Sequence, residues 1–232
     1  MVAQLTPHQH PITACAEDIT TLLSGVAQIQ AVYMSPDDKR AALLELTQAQ
    51  RMLEEVRLRV MAASADLAEA DGARDVAGWL ASHTQADPAP VRADQHLAGA
   101  LDTRWEKVRA GMADGVVSPE QARVIVHGLD ALPDHIGADV LAQAEEQLVA
   151  YAMEFRPSEL RRLARRILDL VAPEIAEAEE AKRLEAEEQA AREKTSLKVK
   201  RLGDGTTRTS IVHSDLDADR LLTYLDAFTS PR

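Results

Sequence analysis

Gly115-Val-Val-Ser-Pro-Glu-Gln-Ala-Arg-Val-Ile-Val-His-Gly-Leu-Asp-Ala-Leu-Pro133 carries the start, body and stop of a helix within one short stretch. Ser118 is placed to cap the N-terminus, Pro119 suits the first helical position, and Gln121 can close a capping box. Ala122, Ile125, Val126 and Leu129 then recur at helical spacing, and Pro133 ends the run. This amphipathic helix, punctuated by its own residues, is the unit on which the rest of the chain is read. It exposes no chemistry of its own.

Composition agrees with a helical reading. The 232 residues are 46% hydrophobic but only 3% aromatic, so the core is aliphatic. Alanine and leucine dominate, with glutamate and arginine, a helix-forming mix. The length holds one large domain, or one domain with an extended arm. Lys and Arg number 26 against 38 Asp and Glu, a net charge of −12. That balance argues against a surface wrapped non-specifically around nucleic acid, although it leaves room for local basic patches. Cys15 is the only cysteine, which excludes an intramolecular disulfide and a multi-cysteine zinc site; it reads as an inert small apolar residue. No apolar run approaches the roughly 20 residues needed to span a bilayer. Met1-Val-Ala-Gln-Leu-Thr-Pro-His-Gln-His10 lacks the basic start and apolar stretch of a signal peptide. A cytoplasmic protein with no membrane partner is the expectation.

Outward from 115–133 the chain reads as a succession of helices. Residues 1–14, with Pro7 and Pro11, read as a flexible tail. A first helix is expected over Glu17–Met34 (Ile19, Leu22, Leu23, Val26, Ile29, Val32). Ser35-Pro36-Asp37-Asp38 then opens a long second helix carrying Leu43, Leu44, Leu46, Met52, Leu53, Val56, Val60, Met61 and Leu67 as far as Asp71-Gly72. So short a connection predicts that the two pack antiparallel. Asp75–Thr84 reads as a short helix, Gln85–Pro90 as a break, and Val91–Ala100 as a further helix with Leu97 and Leu101 inward. Helices over Trp105–Met112, 118–131, Ile136–Met153 and Ser158–Leu170 follow.

Residues 174–194 change character, because only Ile175 and Leu184 are large and apolar. Pairs such as Glu179–Arg183 and Glu188–Arg192 predict a solvated helix. Leu197 and Val199, then Thr207, Thr209 and Ile211, alternate at period two about Gly203-Asp-Gly205, which predicts a hairpin. A helix over Leu216–Phe228 closes the chain. The fold class is mostly α: a multi-helix bundle with a long charged helix and a small C-terminal β-hairpin plus helix. Its divisions are the tail 1–14, a helical core 15–172, the charged helix 173–195, and the hairpin with terminal helix over 196–232.

The chemistry-bearing residues do not assemble into a motif. His8, His10, His83, His96, His127, His135 and His213 include no helical metal pair, and His127 reads as a surface residue. Gly203-Asp-Gly205 joins two strands and is a turn, not a phosphate loop. Ser24, Ser118 and Ser158 lack a nucleophile elbow, and no two carboxylates pair on an apolar background. No catalytic residue, metal or cofactor is therefore assigned.

Two basic signals remain. Asp75–Leu101 has the spacing of a helix-turn-helix, whose second helix would present Arg92, Asp94, Gln95 and His96 to a major groove, with Arg104 and Lys107 further on. Plain packing of two short helices gives the same spacing. The second signal is Arg156-Pro-Ser-Glu-Leu-Arg-Arg-Leu-Ala-Arg-Arg166. Here Leu160, Leu163, Ala164 and Ile167 take one face, while Arg161, Arg162, Arg165 and Arg166 take the other. Such a face suits phosphates; it equally suits pairing with the acidic stretch 174–188. Lys198, Lys200, Arg201 and Arg208 on the hairpin extend the basic surface.

Asp75-Val-Ala-Gly-Trp-Leu-Ala-Ser-His-Thr84, Ala113-Asp-Gly-Val-Val-Ser-Pro-Glu-Gln-Ala-Arg123, Leu129-Asp-Ala-Leu-Pro133 and Glu159-Leu-Arg-Arg-Leu-Ala-Arg-Arg166 occur in this order. Together with the hairpin and terminal helix they resemble the DUF222 domain, also called the 13E12 repeat family, of mycobacteria and other actinobacteria. The resemblance runs from about the second helix to the C-terminus. It implies an association with HNH endonucleases and mobile elements, since an HNH module usually follows this domain. The sequence carries no His-Asn-His hairpin and no zinc-knuckle cysteines after the domain, so nuclease catalysis is carried over to no residue. A split or shortened gene product is the expectation.

The resulting expectation is a non-catalytic accessory or DNA-targeting domain with Arg92, Gln95, Arg104, Lys107, Arg161, Arg162, Arg165, Arg166, Lys198 and Lys200 as its contacts. The alternative is a helical interaction or oligomerisation scaffold without DNA binding. Expected partners are DNA, a separate HNH nuclease module, or a second copy of the chain.

Overall fold

In the computed structural model, the described residues are 10–229, less the side chains of Arg192, Leu216 and Thr229. They contain twelve α-helices and one two-stranded antiparallel sheet, arranged as two compact units that divide after Ile167. His8 lies outside the described residues.

Helix α7 (Pro119–Asp130) forms around the punctuation of its own sequence. The Ser118 hydroxyl accepts from the Gln121 amide N–H at 3.2 Å, and the Gln121 side chain accepts from Ser118 N–H at 2.9 Å, a closed capping box. Ala122, Ile125, Val126 and Leu129 are all buried. Around α7 stand α5 (Pro88–Thr103), α6 (Glu106–Ala113), α8 (Ala138–Ala152) and α9 (Pro157–Ala164), and α2 (Pro36–Ala62) packs on α5 and α6. Leu58, Val108, Met112, Val117, Ile125, Leu148 and Leu160 fill the space between them. The core is aliphatic, and Trp105 is its one buried aromatic among the described residues.

Several boundaries differ from those the sequence predicts. Helix α1 runs over Pro11–Val26, so the expected tail is helical from Pro11; that proline takes the first helical turn while His10 Nδ1 accepts from Ile12 N–H at 3.2 Å. It stops near Ser24-Gly25, a weak helix-forming pair, and a short 3-10 turn at Ala31–Tyr33 leads on to α2. The expected antiparallel packing of the first two helices is absent, because α1 buries none of its residues. The long second helix breaks after Ala62. Ser64 Oγ donates to the Val60 carbonyl, a competing local bond, and the chain resumes as α3 (Ala65–Ala70).

Helix α4 (Val76–Thr84) is capped by Asp75, whose Oδ1 accepts from Gly78 N–H at 2.6 Å. The expected break over Gln85–Pro90 shrinks to three residues, with Gln85 at φ 53°, because Pro88 and Pro90 both fall in the first turn of α5, where no N–H is needed. Ser158–Leu170 divides at Arg165-Arg166 into α9 and the short α10 (Ile167–Val171).

The second unit holds α11 (Pro173–Glu193), β1 (Ser196–Arg201), β2 (Thr207–Val212) and α12 (Asp215–Thr229). No described residue of α11 is buried. Lys182 pairs with Glu179 at 2.7 Å and Arg183 with Glu180 at 2.6 Å, the local support expected of a solvated helix. The expected Glu188–Arg192 pair lies outside the described side chains. In the hairpin Leu197 faces Ile211, and Lys200 faces Arg208. No helix among the described residues is long and apolar enough to cross a membrane.

Candidate nucleic-acid interface

The helix pair predicted over 75–101 is present as α4 and α5, which pack on each other. Its second helix turns Val91, Leu97, Ala98 and Leu101 to the core and leaves Arg92, Ala93, His96 and Thr103 exposed. Gln95 has a structural partner, since its Oε1 accepts from Ala77 N–H at 2.8 Å and so ties α5 to the open N-terminus of α4.

Asp94 is also engaged. Its carboxylate lies between Arg57 of α2 and Arg123 of α7, with Arg123 Nη2 at 2.5 Å from Oδ1 and Arg57 on the other oxygen. Arg57 also forks onto Glu54, through Nε at 2.8 Å and Nη2 at 2.6 Å. The hydrogen bond to Glu54 most of all, with Asp94 adding to it against the cost of burial, raises the Arg57 guanidinium above its ordinary value. Three helices are thus joined through one half-buried carboxylate.

Arg104 and Lys107 are likewise drawn into the bundle. Arg104 reaches Asp130 at 2.8 Å and stacks over the Trp105 ring at 4.8 Å, while Trp105 Nε1 donates to the same Asp130 oxygen at 3.1 Å. Lys107 bonds Glu146 at 2.5 Å and the Ala142 carbonyl at 3.3 Å. The lysine holds the fully exposed Glu146 carboxyl below its ordinary pKa, through its hydrogen bond first and its charge second.

The arginines of α9 and of the turn that follows it are placed differently. Leu160, Ala164 and Ile167 are buried, while Arg161, Arg162, Arg165 and Arg166 are all exposed. Among the described residues Arg161, Arg162 and Arg165 have no ion-pair partner. The helix is held close to α7: a Cβ added to Gly128 would stand 2.7 Å from Ala164 Cβ. The only acidic residue over 156–167 is Glu159, and it is used locally, accepting from Arg156 N–H at 3.1 Å. A shallow groove lined by Phe155, Glu159, Arg162 and Leu163 runs along this surface.

In the second unit, the antiparallel register sets Lys198 opposite Ser210 and Lys200 opposite Arg208, so three cations share one face of the hairpin. Like charges directly across a strand pair oppose folding unless an anion lies between or above them.

Four of the ten candidate contacts, Arg92, Arg161, Arg162 and Arg165, therefore present guanidiniums with no ion-pair partner among the described residues. Arg166 lies beside Arg165 in the turn after α9, and Lys198 and Lys200 share the hairpin face, whereas Gln95, Arg104 and Lys107 are bonded within the bundle. The Arg57–Asp94–Arg123 junction went unread in the sequence because its three members lie far apart in the chain and no local spacing marks them.

The Ala113–Arg123 segment also serves the packing. Gly115 has φ +72°, and a Cβ there would lie 2.5 Å from Gln48 Cγ. Gln48 Nε2 donates to the Asp114 carbonyl at 3.1 Å, and Arg51 to the Gly115 carbonyl at 3.1 Å. Gln121 Nε2 bonds the Ala152 and Phe155 carbonyls at 2.5 and 2.9 Å.

No curated protein and no solved structure matches this chain. One family does: the one described as "Domain of unknown function (DUF222)" matches residues 40–232, which run from the second turn of α2 through the hairpin to the terminal helix. The chain belongs to the DUF222 family.

Proposed function

We propose that this protein is a non-catalytic, DNA-associated accessory domain that grips the phosphate backbone, working beside an HNH-type nuclease activity encoded elsewhere in a mobile element. The observation that carries the reading is the outer face of α9 and the turn that follows it. An acidic chain of net charge −12 keeps Arg161, Arg162 and Arg165 solvent-exposed and without an ion-pair partner among the described residues. Planar guanidiniums gathered on one surface match phosphate oxygens in geometry as well as in charge. The Lys198, Lys200 and Arg208 face of the hairpin adds a second cationic surface.

Base reading by α5 has less support. Arg92 and His96 are the basic groups left outward there, with Asp102 also exposed, since Gln95 and Asp94 are held by neighbours. The reading is therefore of backbone contact with little sequence preference.

Fluorescence anisotropy of a labelled mixed-sequence duplex at low ionic strength tests it. Binding is expected, and R161A/R162A/R165A/R166A together should weaken it by about tenfold or more. No binding by the native chain, or equal binding by the quadruple variant, overturns the proposal.

A further inference from the structure

Unit one leaves two apolar seams uncovered. On α1, Ile12, Ile19 and Val26 recur every seven residues, with Cys15 and Leu22 between them. Leu22 is 72% exposed and Val26 54%. On α2, Ala42, Leu46, Ala49, Leu53, Val56 and Val60 repeat with the same alternation of four and three. That seam lies on the opposite side of α2 from the core-facing Glu55, Leu58 and Met61, and Leu46 is 60% exposed. Each has the spacing of the apolar stripe of a two-helix interface, and among the described residues α1 buries no side chain and α2 buries only Glu55, Leu58 and Met61.

We infer that the α2 seam receives α1 of a second copy of this chain, and that the exchange is reciprocal. Three observations fit this occupant. The lengths match: at a rise of 1.5 Å per residue α1 extends about 24 Å and the seam from Ala42 to Val60 about 27 Å. The area is that of a dimer. Leu22 and Val26 on one seam and Leu46, Leu53 and Val60 on the other are exposed, with Leu23, Leu43 and the connection's Ile29, Val32 and Tyr33 exposed around them. Seams and surroundings together leave on the order of 1,000 Å² of apolar surface per chain, beyond what a monomer normally shows and close to one partner's share of a stable interface.

The third observation is the connection. Ala27–Ser35 is longer than the two to five residues of a tight helical hairpin. It runs through the 3-10 turn at Ala31–Tyr33, and it leaves α1 with no buried residue in its own chain. An arm on so long a connection, with none of its own residues buried, can reach the same seam of another molecule. Two exchanges related by a two-fold axis cover all four stripes at once.

Light scattering or sedimentation equilibrium of the full chain tests this. A mass near twice the chain's 25.3 kDa is expected. Two separate variant pairs, L22D/L23D on α1 and L46D/L53D on α2, should each lose the dimer mass while keeping the helical circular dichroism. The α1 pair alters a helix that buries nothing in its own chain, so it leaves the fold of the unit intact. A native chain that stays monomeric up to about 100 µM, as α1 folded back on its own α2 would give, overturns the inference. So does a dimer that survives either pair, since that dimer would use another surface.

Discussion

Gln121 shows how much one side chain contributes here. Its carbonyl oxygen closes the capping box of α7, and its amide nitrogen satisfies two carbonyls, of Ala152 and Phe155, at the end of α8. The residue is buried, so replacing it with Leu leaves three backbone groups without their partner. Gln121→Leu should lower stability by about 2–4 kcal/mol, read as a shift of the urea midpoint at unchanged m-value. The sequence showed half of this role, since Ser-Pro-Glu-Gln identifies a capping box from local spacing alone. The other half joins positions 31 and 34 residues apart, which no local pattern marks.

At the scale of elements, the α7–α9 contact decides where the candidate face stands. Gly128 lets the two helices approach, and Gly128→Ala would gain about 1 kcal/mol of helix propensity in isolation. Here the added methyl would meet Ala164 Cβ at 2.7 Å, and neither Cβ can rotate away. The expected result is net destabilisation of about 1–2 kcal/mol, measured as a lower Tm for the variant. The sequence marks α9 as amphipathic because Leu160, Ala164 and Ile167 recur at helical spacing. The same reasoning misplaced α1. Its stripe predicts a partner, and among the described residues no side chain of α1 is buried. For α5, spacing alone could not separate a reading helix from a packed one, because that distinction rests on where Gln95 and Asp94 send their bonds.

Over the whole molecule, a charge of −12 sets the sign of long-range forces on any polyanion. The proposed binding through α9 has to work against that field, and it draws on release of counterions from the contacted phosphates, so it should weaken as salt rises. With three or four phosphates contacted, the logarithm of affinity should fall with the logarithm of salt at a slope of about −3 to −4. Anisotropy titrations between about 50 and 200 mM salt measure this slope. R161A/R162A/R165A/R166A should flatten it by most of that value, and a slope unchanged in the variant would place the contacts elsewhere.

Sequence by itself determined the helical class, the hairpin, the capping of α7 and which face of most core helices turns inward. Each of these is fixed within a few residues, by backbone chemistry and by the 3.6- or two-residue repeat of apolar side chains. Only the tertiary structure decided which charged side chains are bonded and which stand open. Arg57, Arg104, Lys107 and Arg123 look no different in the sequence from Arg161, Arg162 and Arg165. The former meet Glu54, Asp94, Asp130 and Glu146, most of them brought from distant parts of the chain. A cation's availability depends on the neighbours that folding gives it, and those neighbours are set by the packing of the helices.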